Sequence, residues 1–131
     1  MTADQQPLVL VADDDEDIRA LVSFRLRKSG YEVLEAGNGS DALRLARERT
    51  PALAVLDWMM PGLTGVEVVE QLRADPATAH VPVVLLTARV QEADMARGLE
   101  AGADAYLKKP FSPKELSERV AETLATGRKA A

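Results

Sequence analysis

Four apolar runs in this chain each end in residues able to do chemistry. Leu8-Val9-Leu10-Val11-Ala12 leads into Asp13-Asp14-Asp15, and Leu53-Ala54-Val55-Leu56 ends at Asp57. Val81-Pro82-Val83-Val84-Leu85-Leu86 ends at Thr87, and Ala105-Tyr106-Leu107 leads through Lys108 to Lys109-Pro110. In an open parallel sheet the carboxyl ends of the strands share one edge, and ligands bind there. Carboxylates, a hydroxyl and an ammonium would then converge on one spot. That set suits a divalent cation and a phosphoryl group, with an aspartate available as nucleophile.

Each of these residues also has a plainer reading. One aspartate of the triplet would serve as a helix N-cap, and an acidic first turn is favoured by the helix dipole. Two further carboxylates at the mouth of a buried strand repel one another unless a cation sits between them. Asp57 could be a turn aspartate ahead of Trp58-Met59-Met60-Pro61-Gly62, yet a charge attached directly to a buried strand is costly unless paired. Thr87 taken alone reads as a cap. Tyr106, Lys108 and Pro110 share one phase of the strand alternation, whereas Leu107 and Lys109 share the other. The alternation leaves open which lysine reaches the edge.

These groups need elements to position them. Short apolar runs alternate with longer segments of helical period, the pattern of repeated β-α units around a parallel sheet covered on both faces. Strands are expected at about 8–12, 31–36, 53–57, 82–86 and 104–107. In the first helix Ile18, Leu21, Val22 and Leu26 fall on one face, and Gly30 stands where a C′ residue ends it. Ser40 or a neighbour caps a second helix with Leu43 and Ala46 inward, stopping before Pro51. Thr64 caps a third, with Val66, Val69 and Leu72 inward. Gln91 to Ala101 is a weaker fourth, whose inward face is mostly Ala and Met with Leu99. Ser112 and Glu115 form a capping box with Pro113 in the first turn, and Leu116, Val120 and Leu124 carry the fifth helix inward.

Composition bounds the rest. The 131 residues fit one domain, spanning 1–131 with a core at about 8–125 and frayed ends. Hydrophobic residues at 47% and charged residues at 28% are an ordinary globular balance. A net charge of -5 argues against non-specific nucleic-acid binding. The lack of cysteine excludes disulfides, thiolate zinc sites and a thiol nucleophile. No apolar stretch approaches the roughly 20 residues of a membrane span. The opening Met1-Thr2-Ala3-Asp4-Gln5-Gln6-Pro7 lacks a basic region before a hydrophobic one, so no secretory signal is expected and the cytoplasm is the expected compartment.

Four blocks together resemble a response-regulator receiver domain, the phosphoacceptor module of two-component signalling. They are Val11-Ala12-Asp13-Asp14-Asp15, Asp57-Trp58-Met59-Met60-Pro61-Gly62-Leu63-Thr64-Gly65, Leu86-Thr87-Ala88, and Gly102-Ala103-Asp104-Ala105-Tyr106-Leu107-Lys108-Lys109-Pro110-Phe111. The match runs from about Leu8 to Leu124 at family spacing. It implies a flavodoxin-like α/β fold: one doubly wound, five-stranded parallel sheet of order 2-1-3-4-5 with five helices. It implies that Asp57 is phosphorylated, and that Asp14 and Asp57 hold Mg²⁺, with Asp13 helping through water and Met59 supplying a backbone carbonyl. Thr87 and the adjoining Ala88 fall at the phosphoryl-binding positions, and Tyr106 at the aromatic switch. The resemblance also selects Lys109 over Lys108 and leaves Asp15 as the first helix cap. Met59 and Arg89 occupy positions that tune the lifetime of the phosphorylated state, and neither is an acid or amide able to position water.

The implied role is a switch rather than an enzyme in its own right. The implied partners are a sensor histidine kinase or phosphotransfer protein, and a dimer mate or target at the surface of the fourth helix, fifth strand and fifth helix. No direct nucleic-acid or membrane partner is expected. The Lys109-Pro110 peptide is expected to be cis, so that Lys109 turns into the site while Phe111 anchors in the core. Two other classes also touch the pattern. Gly37-Asn38-Gly39-Ser40-Asp41-Ala42 fits a dinucleotide fingerprint, but it leaves the acidic triplet and Lys109-Pro110 unexplained. An aspartyl phosphatase would generally carry a second aspartate two residues after the nucleophile, where Met59 stands. His80, the sole histidine, is expected to be exposed and incidental, and Trp58 is expected to be a surface aromatic beside the site.

Overall fold

The computed structural model describes residues 6–88 and 92–127. Among them strands and helices alternate: β1 (Leu8–Ala12), α1 (Glu16–Lys28), β2 (Glu32–Ala36), α2 (Gly39–Arg49), β3 (Leu53–Asp57), α3 (Gly65–Ala74), β4 (Val83–Thr87), α4 (Glu92–Ala101), β5 (Ala105–Lys108) and α5 (Pro113–Thr126). The strands form one parallel sheet in the order β2-β1-β3-β4-β5. The chain builds outward from β1 first to β2 and then back across to β3, so the order reverses between β1 and β3. That reversal opens a crevice at the carboxyl edge.

Alternation along each strand sorts the core into two layers. Leu10, Ala12, Ala54, Leu56, Val83 and Leu85 face α2 and α3, where they meet Ala42, Leu43, Ala46, Val66, Val69 and Leu72. Val9, Val11, Leu53, Val55, Val84, Leu86 and Leu107 face the other way and meet Val22 and Leu26 of α1 with Leu116 and Val120 of α5. Every residue of β3 and β4 is buried, as in strands covered on both sides.

Local chemistry sets the helix starts. Asp15 caps α1, its carboxylate accepting from the Asp17 and Ile18 amides. Asn38, a neighbour of Ser40, caps α2 by accepting from the Asp41 amide. Thr64 with Glu67 and Ser112 with Glu115 form reciprocal capping boxes at α3 and α5, each cap worth about 1 kcal/mol. Gly30, at φ 99°, follows the Ser29 C-cap of α1 in the left-handed region.

The structure corrects several expectations. Strand bounds shift by a residue at β2, β4 and β5, and Thr87 is the last residue of β4 rather than a cap beyond it. Leu21 does not join the buried face of α1, being 53% exposed. Ile18, one turn earlier, sits only at the rim of the core. On α4 the expected inward Leu99 and Met95 are exposed, and Gly98 is the buried position of the described side chains. The helix lies on the ring of Tyr106 through Gly98, where a Cβ would stand 2.9 Å from the ring. The expected helix start at Gln91 lies outside the described residues.

Candidate functional site

The carboxyl edge gathers the chemistry because strand phase and register agree. Asp13 continues the phase of Val9 and Val11, Asp57 that of Leu53 and Val55, and Lys109 that of Leu107, so all three lie on the α1–α5 side. Thr87 and Tyr106 occupy the opposite phase, on the α4 side. Parallel pairing sets Asp57 beside Leu86 and Thr87 beside Lys108. The ladder also extends past the strand ends: the Asp13 amide donates to Ala36 at 3.1 Å, the Trp58 amide to Leu86 at 2.9 Å, and the Lys109 amide to Thr87 at 2.8 Å.

Lys109 Nζ stands 3.1 Å from a carboxylate oxygen of Asp13 and 3.1 Å from one of Asp57. The other Asp13 oxygen accepts from the Asp15 amide at 2.9 Å. Asp14 is exposed, yet it offers an oxygen that lies with one each from Asp13 and Asp57 inside a 4.8 Å cluster. The cleft above them, about 340 Å³, is lined by these carboxylates with Met59, Thr87 and Lys109. Ala88 is exposed at its rim. The Lys109-Pro110 peptide is cis, as expected. Close packing beneath the cleft needs Gly65, since a Cβ there would come within 2.4 Å of the Asp57 carbonyl oxygen.

Among the described residues one ammonium stands with three carboxylates, so they leave the cleft an excess of negative charge. Burial pushes the Asp57 carboxyl up to about 6, Asp13 pushes it the same way, and Lys109 offsets part of the rise. Burial works against the Lys109 ammonium, but its bonds and charge contacts with Asp57 and Asp13 outweigh that and raise its pKa. A partly buried, mutually repelling oxygen cluster matches what a hard divalent cation requires. Among the described residues, Asp13, Asp14 and Asp57 form the group able to hold one.

Most of the sequence-predicted residues meet here: Asp13, Asp14, Asp57, Met59, Thr87, Ala88 and Lys109. Lys108 is exposed and does not line the cleft. Tyr106 does not line the cleft. It is half-buried against Gly98 and Leu85, and its hydroxyl is buried at the Leu99 backbone without a full hydrogen bond among the described residues. Arg89 lies outside the described residues. Trp58 is not a surface aromatic: it is 7% exposed and packs in the α2–α3 layer, because it follows Asp57 in the opposite phase. His80 is exposed. The dinucleotide-like glycines have another use, since a Cβ at Gly39 would stand 2.0 Å from the Leu63 carbonyl oxygen. Arg19 was not singled out from sequence, yet its guanidinium donates to the Asp13 carbonyl at 3.0 Å.

This arrangement defines a two-component receiver with an acidic metal-type pocket. Residues 9–121 match the family described as response regulator receiver domain, and the chain belongs to that family. It is 42% identical over 116 residues to the phosphate regulon transcriptional regulatory protein PhoB of Pseudomonas aeruginosa, covering 88% of this chain and 51% of that protein. The chain thus spans about half the length of such curated relatives. A putative response regulator from Chloroflexus aurantiacus superposes with a TM-score of 0.88 at 36% identity, over 92% of this chain and 99% of that one. The receiver domain of the sensor histidine kinase PA1611 from P. aeruginosa, solved with a magnesium ion in its active-site cleft, superposes with a TM-score of 0.85 at 28% identity, over 92% and 98%.

Proposed function

We propose that the chain accepts a phosphoryl group on Asp57 from a phosphohistidine of a sensor kinase or phosphotransfer protein, in a Mg²⁺-dependent step. One arrangement carries this reading: Lys109 Nζ bridges Asp57 and Asp13, and Asp14 completes the acidic cluster beside them. The magnesium ion seen in the PA1611 receiver supports the choice of metal. When bound, Mg²⁺ would neutralise charge on the transferring group. Asp13, Asp14, Asp57 and the Met59 carbonyl are the groups that would hold it.

The chain's own part follows from its geometry. A carboxylate oxygen of Asp57 attacks the phosphorus, the donor's N–P bond breaks, and the imidazole leaves with the electron pair and takes up a proton. Phosphoryl transfer depends mainly on alignment and charge stabilisation. Lys109 supplies the ammonium on one side, and the Thr87 hydroxyl and Ala88 amide the donors on the other. The donor protein approaches over an apolar groove of about 370 Å³ formed by Ile18, Leu21, Pro110 and Phe111, which shares Ala88 and Lys109 with the cleft. Leu21 and Phe24, 63% exposed, give that approach an apolar face.

The acyl phosphate is labile, so the signal limits itself, and neither Met59 nor Arg89 carries a group to hasten water attack. Output runs through Thr87 and Tyr106, which share a strand phase on the α4 side, to the surface of α4, β5 and α5. A dimer mate or target docks there. The α4 helix buries little of its apolar surface, which suits an element that shifts at low cost.

Intact-mass measurement after treatment with Mg²⁺ and a small acyl-phosphate or phosphoramidate donor tests the central claim. One phosphoryl addition is expected, absent after chelation. Labelling that chelation leaves untouched would overturn the metal-dependent step.

A further inference from the structure

We infer that Arg19 is a positioning residue for the cation site, fixing the peptide between Asp13 and Asp14 so that Asp14 is aimed at the cleft. This rests on reading the Asp13/Asp14/Asp57 cluster as a Mg²⁺ site. Arg19 projects from α1 back over the end of β1. Its Nη1 donates to the Asp13 carbonyl at 3.0 Å, and its Nε lies 3.4 Å from Glu35 near the end of β2. Arg27 braces Glu35 from the other side at 3.2 Å. The Asp13 amide already donates to Ala36. The peptide entering Asp13 is therefore held by the sheet, and the peptide leaving it is held by the guanidinium.

That second peptide matters because it is planar. Fixing its oxygen fixes the direction in which the chain leaves toward Asp14. The Asp13 side chain has its own restraints in Lys109 and the Asp15 amide. The exposed Asp14 depends on the backbone for its aim. Arginine suits the task because its rigid fork reaches two acceptors at once, the Asp13 carbonyl and the Glu35 carboxylate. Groups that hold a metal's ligands in place typically contribute tenfold or more to affinity.

Charge and positioning predict opposite signs. Removing a cation beside an acidic cleft should tighten Mg²⁺ binding by Coulomb attraction alone, whereas losing the positioning should weaken it. The test is Mg²⁺ titration of the full chain followed by amide NMR shifts, with thermal melts to confirm that each variant is folded. Arg19→Gln is expected to raise the half-saturating Mg²⁺ concentration about tenfold. Unchanged or tighter binding in this variant overturns the inference. Should Arg19→Gln not fold, Arg19→Lys serves, because it keeps the charge and loses the rigid fork that reaches the Asp13 carbonyl and Glu35 together. A smaller rise is expected there, and no rise overturns the inference. Wild-type titration separates the two levels: if wild type binds no Mg²⁺, the cation-site reading fails, and if wild type binds while the variants match it, only the role of Arg19 fails.

Discussion

Both edges of the sheet bury an acid against a cation, and they do opposite things with it. At the amino edge Arg73 donates to Gly102, Ala79 and Val81 carbonyls and pairs with Asp104 at 3.0 Å. The same Asp104 oxygen accepts from the Val83 amide at 2.9 Å. The group ties the end of α3 to the starts of β4 and β5. At the carboxyl edge Lys109 pairs with Asp13 and Asp57, Asp14 adds a third carboxylate, and among the described residues the surplus is left facing a cleft. A buried charge that is fully paired is a structural tie. A buried charge in surplus is poised to bind.

The sharpest way to break this contrast is to neutralise one acid at each edge. Asp57→Asn is expected to abolish phosphoryl labelling, while Asp104→Asn retains it. Equal labelling in wild type and Asp57→Asn, read by intact mass, would mean the surplus is not where transfer occurs.

Stability should respond the other way round. Arg73→Ala breaks the buried pair with Asp104 and should cost about 3–5 kcal/mol in urea unfolding, with Mg²⁺ affinity unchanged. A loss below about 1 kcal/mol would show that the amino-edge pair is not the tie described.

Asp57 also makes the metal-free protein pH-sensitive with a definite sign. Its folded pKa of about 6 exceeds the ordinary 3.8. The stability it contributes is therefore fully present below about pH 4 and is lost as pH rises through 6. Relative to Asp57→Asn, the metal-free wild type should lose up to about 3 kcal/mol between those limits. A difference that stays constant from pH 4 to 7 would contradict the burial and Asp13 repulsion invoked here. Mg²⁺ favours the carboxylate and should move the midpoint lower.

The smallest effect is expected between the two edges, at Tyr106. Its hydroxyl is buried without a full hydrogen bond among the described residues. Tyr106→Phe should therefore change stability by no more than about 1 kcal/mol and leave labelling of Asp57 intact. Amide hydrogen exchange with and without beryllofluoride should then report whether α4 still responds. Changes confined to α1 and α2 in the wild type would reassign the output face.

Much of this was legible in local sequence. Caps, the alternation of the strands and the chemistry at their ends depend on residues within a few positions of one another, so Asp15, Thr64, Ser112 and the apolar faces of α2, α3 and α5 could be read directly. Surface against core was harder. Leu21, Leu99 and Trp58 were each misplaced, because helix period fixes a stripe only to within about one residue and strand phase places Trp58 only once Asp57 is assigned. Sequence by itself determined the order of elements, the edge at which chemistry would gather and the kinds of groups available there. The register decided the rest. Lys109 and Lys108 were equivalent by alternation until β5 paired with β4 and put Lys109 beside Asp13, 96 positions away. The hold of Arg19 on the Asp13 carbonyl likewise exists only once α1 folds back over β1, since nothing in a run of helical residues says which carbonyl its polar face will meet.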